Sequence, residues 1–376
     1  MTGLPGDDAV AKLRDDLPVF QSQVFLNAAW SGPCSDRALR AIHEYLVAEN
    51  HDGPTSVATL RRKADVDLRA RQGWARLVGA APDEIALVES TTEGMNLVFN
   101  GIDWQPGDRL VTASFEYPAI LVPAFFRARR FGLDVVIAPV EPQDPPQTII
   151  DAFDRAITHG TRLVAVSHVG YADGLRLPLA EIVRIAHDRG AWVIADGAQA
   201  VGQITLNLDD TGIDFYSGPS QKWVSGPEGT AFLYVRRERI PDLIPSKPSY
   251  HAVKQYRLDG SYEENFDDAS RFEASSTNMG VLAGLVETLE TIEEIGGASR
   301  VEERTLALSA RALAGLMSIP GVRVVSPREG PGVTGLVCFR VGDHLPDEVT
   351  CTAWERHRVL LGGRQGPDRQ PHYLES

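Results

Sequence analysis

Three short apolar segments near the middle of the chain constrain the fold more than any other feature. The first, residues 191–195, stops at Asp196; the second, residues 213–216, precedes Lys222; the third covers residues 230–235. Short apolar runs bounded by glycine are typical of strands buried on both faces of a parallel sheet. Ligands of open α/β sheets bind at the edge formed by the carboxyl ends of such strands. A carboxylate and a lysine are therefore predicted to meet at a ligand site on this edge.

The flanking sequence continues the same alternation of strand and helix. Further strands are predicted near residues 108–114, 133–138 and 161–167, with amphipathic helices between them. Beyond residue 278, two strong amphipathic helices and short strands predict a small α+β unit. A chain of 376 residues is long enough for two domains around one site.

Charge and cysteine usage exclude several classes of protein. Lys and Arg number 37 against 51 Asp and Glu, a net charge of −14, which argues against nucleic acid or an anionic membrane as partner. Cys34, Cys338 and Cys351 lack the spacing of a disulfide framework or a zinc site, so no metal is expected and a reducing cytoplasm is predicted. Neither a signal peptide nor a membrane span of about 20 apolar residues is expected.

Six motifs between Ser90 and Asn278 carry a family resemblance: STTEGMNLV, SFEYP, SHVGYADG, ADGAQAVG, SGPSQKW and RFEASSTN. In this order they resemble pyridoxal-phosphate (PLP) enzymes of aminotransferase class V, which include cysteine desulfurases, isopenicillin-N epimerase-like proteins and carbon–sulfur lyases. The resemblance implies PLP fold type I, an α/β fold with a large domain built on a mainly parallel seven-stranded sheet. It places the large domain at 20–265 and a smaller α+β domain at 1–19 and 266–376. It also implies a homodimer with shared active sites.

The resemblance assigns the catalytic roles as follows. Lys222 would hold PLP as an imine and carry the proton at the substrate Cα. Asp196 would pair with the pyridinium nitrogen, which keeps the ring an electron sink. Gln199 would donate to the phenolic oxygen. His168 would either line the pocket or be a satisfied histidine at a strand end.

The cofactor phosphate and ring need further partners. Thr91 and Thr92 begin a helix whose free N–H groups suit a phosphate, although Thr there can also be a plain N-cap. Family members place a His or an aromatic ring over the cofactor where this chain has Tyr117, and a phenol is a poorer proton carrier than imidazole. The remaining predicted phosphate contacts are Ser220, Gln221 and, from the other subunit, Ser276.

Substrate contacts follow from the same resemblance but depart from its pattern. The loop with Asn27, Ala29 and Trp30 would lie beside the substrate. Tyr171 stands where some relatives carry an Asn for the substrate carboxylate. The usual carboxylate-binding Arg is absent or replaced near the C-terminus, where Arg364 and Arg369 are candidates.

The reaction is the least determined feature. A desulfurase needs a cysteine on a small-domain loop, whereas Cys351 is predicted on a helix and Cys338 in a buried strand. We therefore predict β-elimination on an S-substituted cysteine, a carbon–sulfur lyase reaction. Aminotransfer or epimerisation is the alternative, followed by a decarboxylating variant. A PLP-binding protein without turnover is a further alternative, from a different class of function.

Overall fold

The computed structural model describes residues 7–363 as an α/β protein built on one large sheet. Its strands are β1 Val24–Leu26, β2 Ile85–Val88, β3 Arg109–Ala113, β4 Asp134–Ala138, β5 Thr161–Ser167, β6 Trp192–Asp196, β7 Phe215–Pro219, β8 Ala231–Val235, β9 Val253–Tyr256, β10 Tyr262–Glu264, β11 Val322–Val324, β12 Phe339–Val341 and β13 Val359–Leu361. Its helices are α1 Asp7–Asp15, α2 Val19–Ser22, α3 Asp36–Asp52, α4 Val57–Val78, α5 Thr91–Gly101, α6 Pro118–Phe131, α7 Pro146–Ala156, α8 Leu179–His187, α9 Leu208–Thr211, α10 Met279–Glu294, α11 Gly297–Met317 and α12 Pro346–His357.

The large sheet has seven strands in the order β2-β8-β7-β6-β5-β3-β4. Strands β4, β3, β5, β6 and β7 are parallel, and β8 is antiparallel to both β7 and β2. The predicted mainly parallel seven-stranded sheet and its fold class are therefore confirmed. The three apolar segments that constrained the fold are β6, β7 and β8, which lie side by side.

Two apolar cores cover the faces of this sheet. Val164 and Val166 of β5 pack into the core that α4, α7, α8 and α10 share. Their neighbours Leu163 and Ala165 point to the opposite core, which α5 and α6 complete. Because alternate strand residues face opposite sides, a sheet with helices on both faces needs the continuous apolar runs seen in the sequence.

The C-terminal part returns to the first helices. Helix α10 packs on α3 and α4, and Arg37 Nε lies 2.6 Å from Glu287. Strands β11 and β12 pair antiparallel, while β13 pairs in parallel with β1. Residues 24–26 thus join the C-terminal region, although the predicted large domain begins at residue 20. The division at 20–265 stays a prediction.

One predicted loop contains regular structure. The sequence of residues 244–278 predicts a mostly irregular connection, yet β9 and β10 form an antiparallel hairpin within it. Its side chains are largely exposed, so it lacks the alternating apolar pattern by which a strand is detected. Among the helices of the described residues, none is both long and apolar enough to span a bilayer.

Candidate active site

Three neighbouring strands bring the predicted site residues to one edge of the sheet. Ser167 of β5 lies opposite Asp196 of β6, which in turn lies opposite Ser217 of β7. His168 follows β5 directly, and its backbone N–H donates to the Asp196 carbonyl at 2.9 Å. The parallel register therefore places His168, Asp196 and the loop carrying Lys222 at the carboxyl edge predicted from the sequence.

Lys222 and Asp196 influence each other electrostatically. Burial lowers the pKa of Lys222, and the negative charge of Asp196 opposes that effect. Burial also raises the pKa of Asp196, whereas the Ala198 N–H, 2.8 Å from Oδ1, and the Lys222 charge act against the rise. A lowered pKa leaves more lysine as the neutral amine that attacks a carbonyl. A cationic ring nitrogen beside Asp196 would compensate the burial of its carboxylate.

His168 is buried against a tyrosine. Its Nδ1 lies 3.0 Å from the hydroxyl of Tyr216, and the two rings meet edge to face. Burial, assisted by the positive charge of Arg176, lowers the pKa of His168 to about 3. The imidazole is therefore neutral near neutral pH and already has a hydrogen-bond partner. This geometry favours the strand-end alternative over an acid–base role.

Two tyrosines form an aromatic wall over the lysine. The Tyr117 ring centroid lies 5.8 Å from Lys222 Nζ, and the Tyr171 ring meets it edge to face at 5.1 Å between centroids. Tyr117 remains 43% exposed, so part of its side chain is accessible to a ligand. An offset stack on a pyridine ring suits an aromatic side chain of this kind.

The loop after β1 contacts both the side-chain amide of Gln199 and the backbone of Gln221, which precedes Lys222. Trp30 N–H donates to the Asn27 carbonyl at 3.1 Å, and Gly32 N–H donates to the Gln221 carbonyl at 2.5 Å. Gln199 Nε2 donates to the Ala29 carbonyl at 2.9 Å. The predicted substrate loop therefore lies beside Lys222. The Trp30 side chain itself is 72% exposed.

Some of the predicted phosphate contacts have side-chain atoms without a hydrogen-bond partner among the described residues, whereas the hydroxyl of Ser220 is already hydrogen-bonded within the protein. The hydroxyl of Thr91 and the amide oxygen of Gln221 are buried and have no partner among the described residues. Since buried polar atoms are normally hydrogen-bonded, the unpaired Thr91 hydroxyl at a helix N-terminus fits a bound phosphate, to which it can donate. The Gln221 amide oxygen can only accept, so that side chain would have to turn its NH2 group toward a phosphate to bind it. Thr92 is exposed. Ser220, by contrast, donates to the Pro227 carbonyl at 2.7 Å, so its hydroxyl holds the lysine loop in shape.

A glycine brings the phosphate-side helix close to the sheet. A Cβ on Gly94 of α5 would lie 2.8 Å from Ser217 Cβ, closer than two side-chain carbons can approach. The helix N-terminus with Thr91 can therefore sit directly beside β7, whose loop carries Lys222.

The remaining predicted residues are Ser276, which is assigned to the site of the partner subunit, and two arginines near the C-terminus. Ser276 is exposed in the segment between the buried Glu273 and the N-cap of α10. Arg364 and Arg369 lie outside the described residues. Within residues 7–363, no group of three or more His, Cys, Asp or Glu is arranged to hold a metal ion.

Sequence reasoning missed two side chains beside the site. Glu116 is fully buried, accepts from the Ser167 N–H and hydroxyl, and has its pKa raised by burial to about 8. Trp223 donates its indole N–H to Gln199 Oε1 at 2.8 Å. In the sequence, only their positions next to predicted site residues could have identified them, since Glu116 precedes Tyr117 and Trp223 follows Lys222.

Comparison with known proteins shows which family and which solved structures the chain resembles. The model of the aminotransferase class-V family matches residues 24–359. A probable cysteine desulfurase of Methanothermobacter thermautotrophicus is 29% identical over 340 residues, covering 90% of this chain and 82% of the relative. Two solved structures of C-DES are 25% identical. One, with glycine covalently linked to its PLP cofactor, has a TM-score of 0.86 and covers 93% of this chain and 91% of that one. The other, described as a cystine C–S lyase with its product cysteine persulfide, has a TM-score of 0.83 and covers 92% and 91%.

Proposed function

The chain belongs to the aminotransferase class-V family, and from the site described above we propose that it catalyses β-elimination on an S-substituted cysteine. Its relatives and its fold type I neighbours make it a PLP-dependent enzyme. When bound, PLP supplies an electron sink for the negative charge that develops at Cα. The observation that carries the proposal is a lysine at the sheet edge, while none of the cysteines in residues 7–363 lies on an exposed loop where it could accept sulfur.

In this reaction, three residues of the chain would have separate roles. Lys222 would hold the cofactor covalently until the amino group of the substrate replaces it, and its freed neutral amine would then take the proton from the substrate Cα. Asp196 would hold the positive charge of the ring nitrogen. Tyr117 would stack on the ring and keep water from one face. The carbon–sulfur bond then breaks, the sulfur leaves as a thiol, and addition of one water gives pyruvate and ammonia.

The three cysteines of the chain argue against a protein persulfide. Burial raises the pKa of Cys34, which disfavours the nucleophilic thiolate. Cys338 is half-buried beside β12, with its backbone N–H donating to Ser326 Oγ at 2.7 Å. Cys351 is exposed but lies within helix α12 rather than on a loop. β-Elimination needs none of these thiols.

Tyr171 supports a substrate larger than free cysteine. Relatives with Asn at this place would offer a small amide to the substrate carboxylate, whereas Tyr171 offers a ring edge packed on Tyr117. An aromatic wall favours an apolar or extended substituent on sulfur, because burial of its surface is favourable. This feature, together with the cystine C–S lyase named among the structural neighbours, supports an S-substituted cysteine.

The reaction is tested by product analysis on a panel of cysteine S-conjugates, with cystine and free cysteine included. From the S-conjugates we expect thiol, pyruvate and ammonia in equal amounts, without an added keto acid, and no turnover by Lys222→Ala. From cystine the same elimination would release cysteine persulfide in place of the thiol, and from free cysteine hydrogen sulfide. A requirement for keto acid would identify an aminotransferase, and inversion at Cα without these products an epimerase. Carbon dioxide release would identify a decarboxylase. Conversion of free cysteine to alanine would show that the desulfurase reaction had been wrongly rejected.

We also propose that the active unit is a homodimer. Glu273 is buried and bound to Arg71 at 2.6 Å, so the following residues are anchored at their start, while Ser276 is exposed. The nearby hairpin exposes Tyr256, Leu258 and Tyr262. An exposed apolar hairpin is typical of an interface, and a second copy would cover it. Ser276 of one subunit would then reach the phosphate of the other.

A further inference from the structure

The side-chain amide of Gln199 is held from two sides. Its Oε1 accepts from the Trp223 indole at 2.8 Å, and its Nε2 donates to the Ala29 carbonyl at 2.9 Å. An indole N–H can only donate and a carbonyl oxygen can only accept. Only one of the two orientations of the amide satisfies both partners. Gln199 is also buried, with 5% of its surface exposed, so water does not compete for either hydrogen bond.

This orientation leaves one N–H of Gln199 uncommitted. The amide nitrogen carries two hydrogens, and the Ala29 carbonyl takes one of them. The family places the phenolic oxygen of the cofactor within reach of this glutamine, and that oxygen needs a donor. A flipped amide would present its carbonyl oxygen there, which would repel a phenolate.

A second layer holds Trp223 and the glutamine backbone. Gln203 is 1% exposed, donates to the Gln199 carbonyl, and accepts from the Gly335 N–H at 2.9 Å. A Cβ on Gly335 would lie 3.3 Å from the Trp223 ring and 2.9 Å from Gln203 Oε1. The segment before β12 therefore packs against the indole and leaves it little freedom to turn away.

We propose that Trp223 is a positioning residue, whose indole N–H fixes the Gln199 amide so that it donates at once to the substrate loop at Ala29 and to the phenolic oxygen of the cofactor. The inference rests on the cofactor and on the predicted role of Gln199. It is independent of which bond at Cα is cleaved. It assigns a function to Trp223, the residue that follows the predicted cofactor-binding Lys222.

The test uses Trp223→Phe, which keeps an aromatic ring and removes the N–H. We expect cofactor to remain bound and kcat/KM to fall about three- to tenfold, the range for one neutral hydrogen bond. We also expect the pH midpoint of the bound cofactor's visible absorption to rise. A loosened amide stabilises the more negative, deprotonated form of the cofactor less. This absorption readout needs no substrate, so it remains valid if the proposed reaction is wrong.

A double-mutant cycle with Gln199→Ala separates positioning from packing. If Trp223 acts through Gln199, then Trp223→Phe changes neither the midpoint nor kcat/KM further in the Gln199→Ala background. Trp104→Phe is the matched control, because Trp104 is 4% exposed and its indole donates to the Phe99 carbonyl at 2.8 Å away from the site. Additive effects, or a Trp223→Phe protein whose midpoint and kcat/KM match those of Trp104→Phe, would overturn the proposal.

Discussion

The variant His168→Asn tests whether His168, at the sheet edge, has a catalytic or a structural role. Asn can keep a polar atom near the position of Nδ1, 3.0 Å from the Tyr216 hydroxyl, but it does not titrate. If His168 is structural, the variant retains turnover at neutral pH within about threefold. A proton carrier would instead lose about 100-fold or more, the range for general acid–base catalysis.

The stability of wild type relative to the same variant should depend on pH in a defined direction. The pKa of His168 is about 3 in the folded protein against an ordinary value of 6.5. Between these values the unfolded chain binds a proton that the native state does not, so the free energy of unfolding falls as pH falls. The loss approaches about 1.4 kcal/mol for each pH unit, because the two states then differ by one bound proton. Above pH 6.5 the contribution is constant.

Urea unfolding of both proteins from pH 4 to 8 measures this effect. The difference between wild type and His168→Asn is needed because Glu116 works in the opposite direction. Its pKa is raised to about 8, so it destabilises the native state as pH rises from about 4.5 to 8. We expect the stability of wild type relative to the variant to decline below pH 6.5. A difference that stays constant from pH 4 to 8 would show that His168 is not held neutral by burial.

Four further predictions concern the site and the assembly. Borohydride reduction and peptide mapping should find the pyridoxyl group on Lys222, with label elsewhere contradicting the assignment; Lys222→Ala should keep the thermal midpoint nearly unchanged. Asp196→Asn should lower the rate about 100-fold or more, since it removes the charge that holds the ring nitrogen protonated, and near-normal turnover would exclude that role. Sedimentation should show a dimer, and a fully active PLP-loaded monomer of 41.0 kDa would reject the shared site of Ser276. Tyr171→Asn should shift preference from bulky S-conjugates toward cystine or cysteine, measured as the ratio of kcat/KM values; an unchanged ratio would remove Tyr171 from substrate selection.

The residues at the sheet edge were predictable because their signals are local. A strand buried on both faces must be apolar throughout, so β6 and β7 stand out in the sequence, and the parallel arrangement sets Asp196 and Lys222 at their carboxyl ends. The helix bearing Thr91 was predictable for the same reason, since Ser90 caps it through the Glu93 N–H. Backbone hydrogen bonding and burial impose these patterns on consecutive residues.

Contacts between residues distant in the chain left no such pattern. The pairing of β1 with β13 joins segments more than 300 residues apart, and a three-residue strand is too short to show periodicity. Whether His168 lines a pocket or is buried depended on Tyr216, which comes from a different strand. The orientation of the Gln199 amide likewise depends on Ala29 and Trp223, which only the packed chain brings to its two ends. The sequence thus determined the sheet and the identity of the edge residues through local burial and hydrogen-bonding patterns, whereas tertiary packing decided which partners set their protonation and orientation.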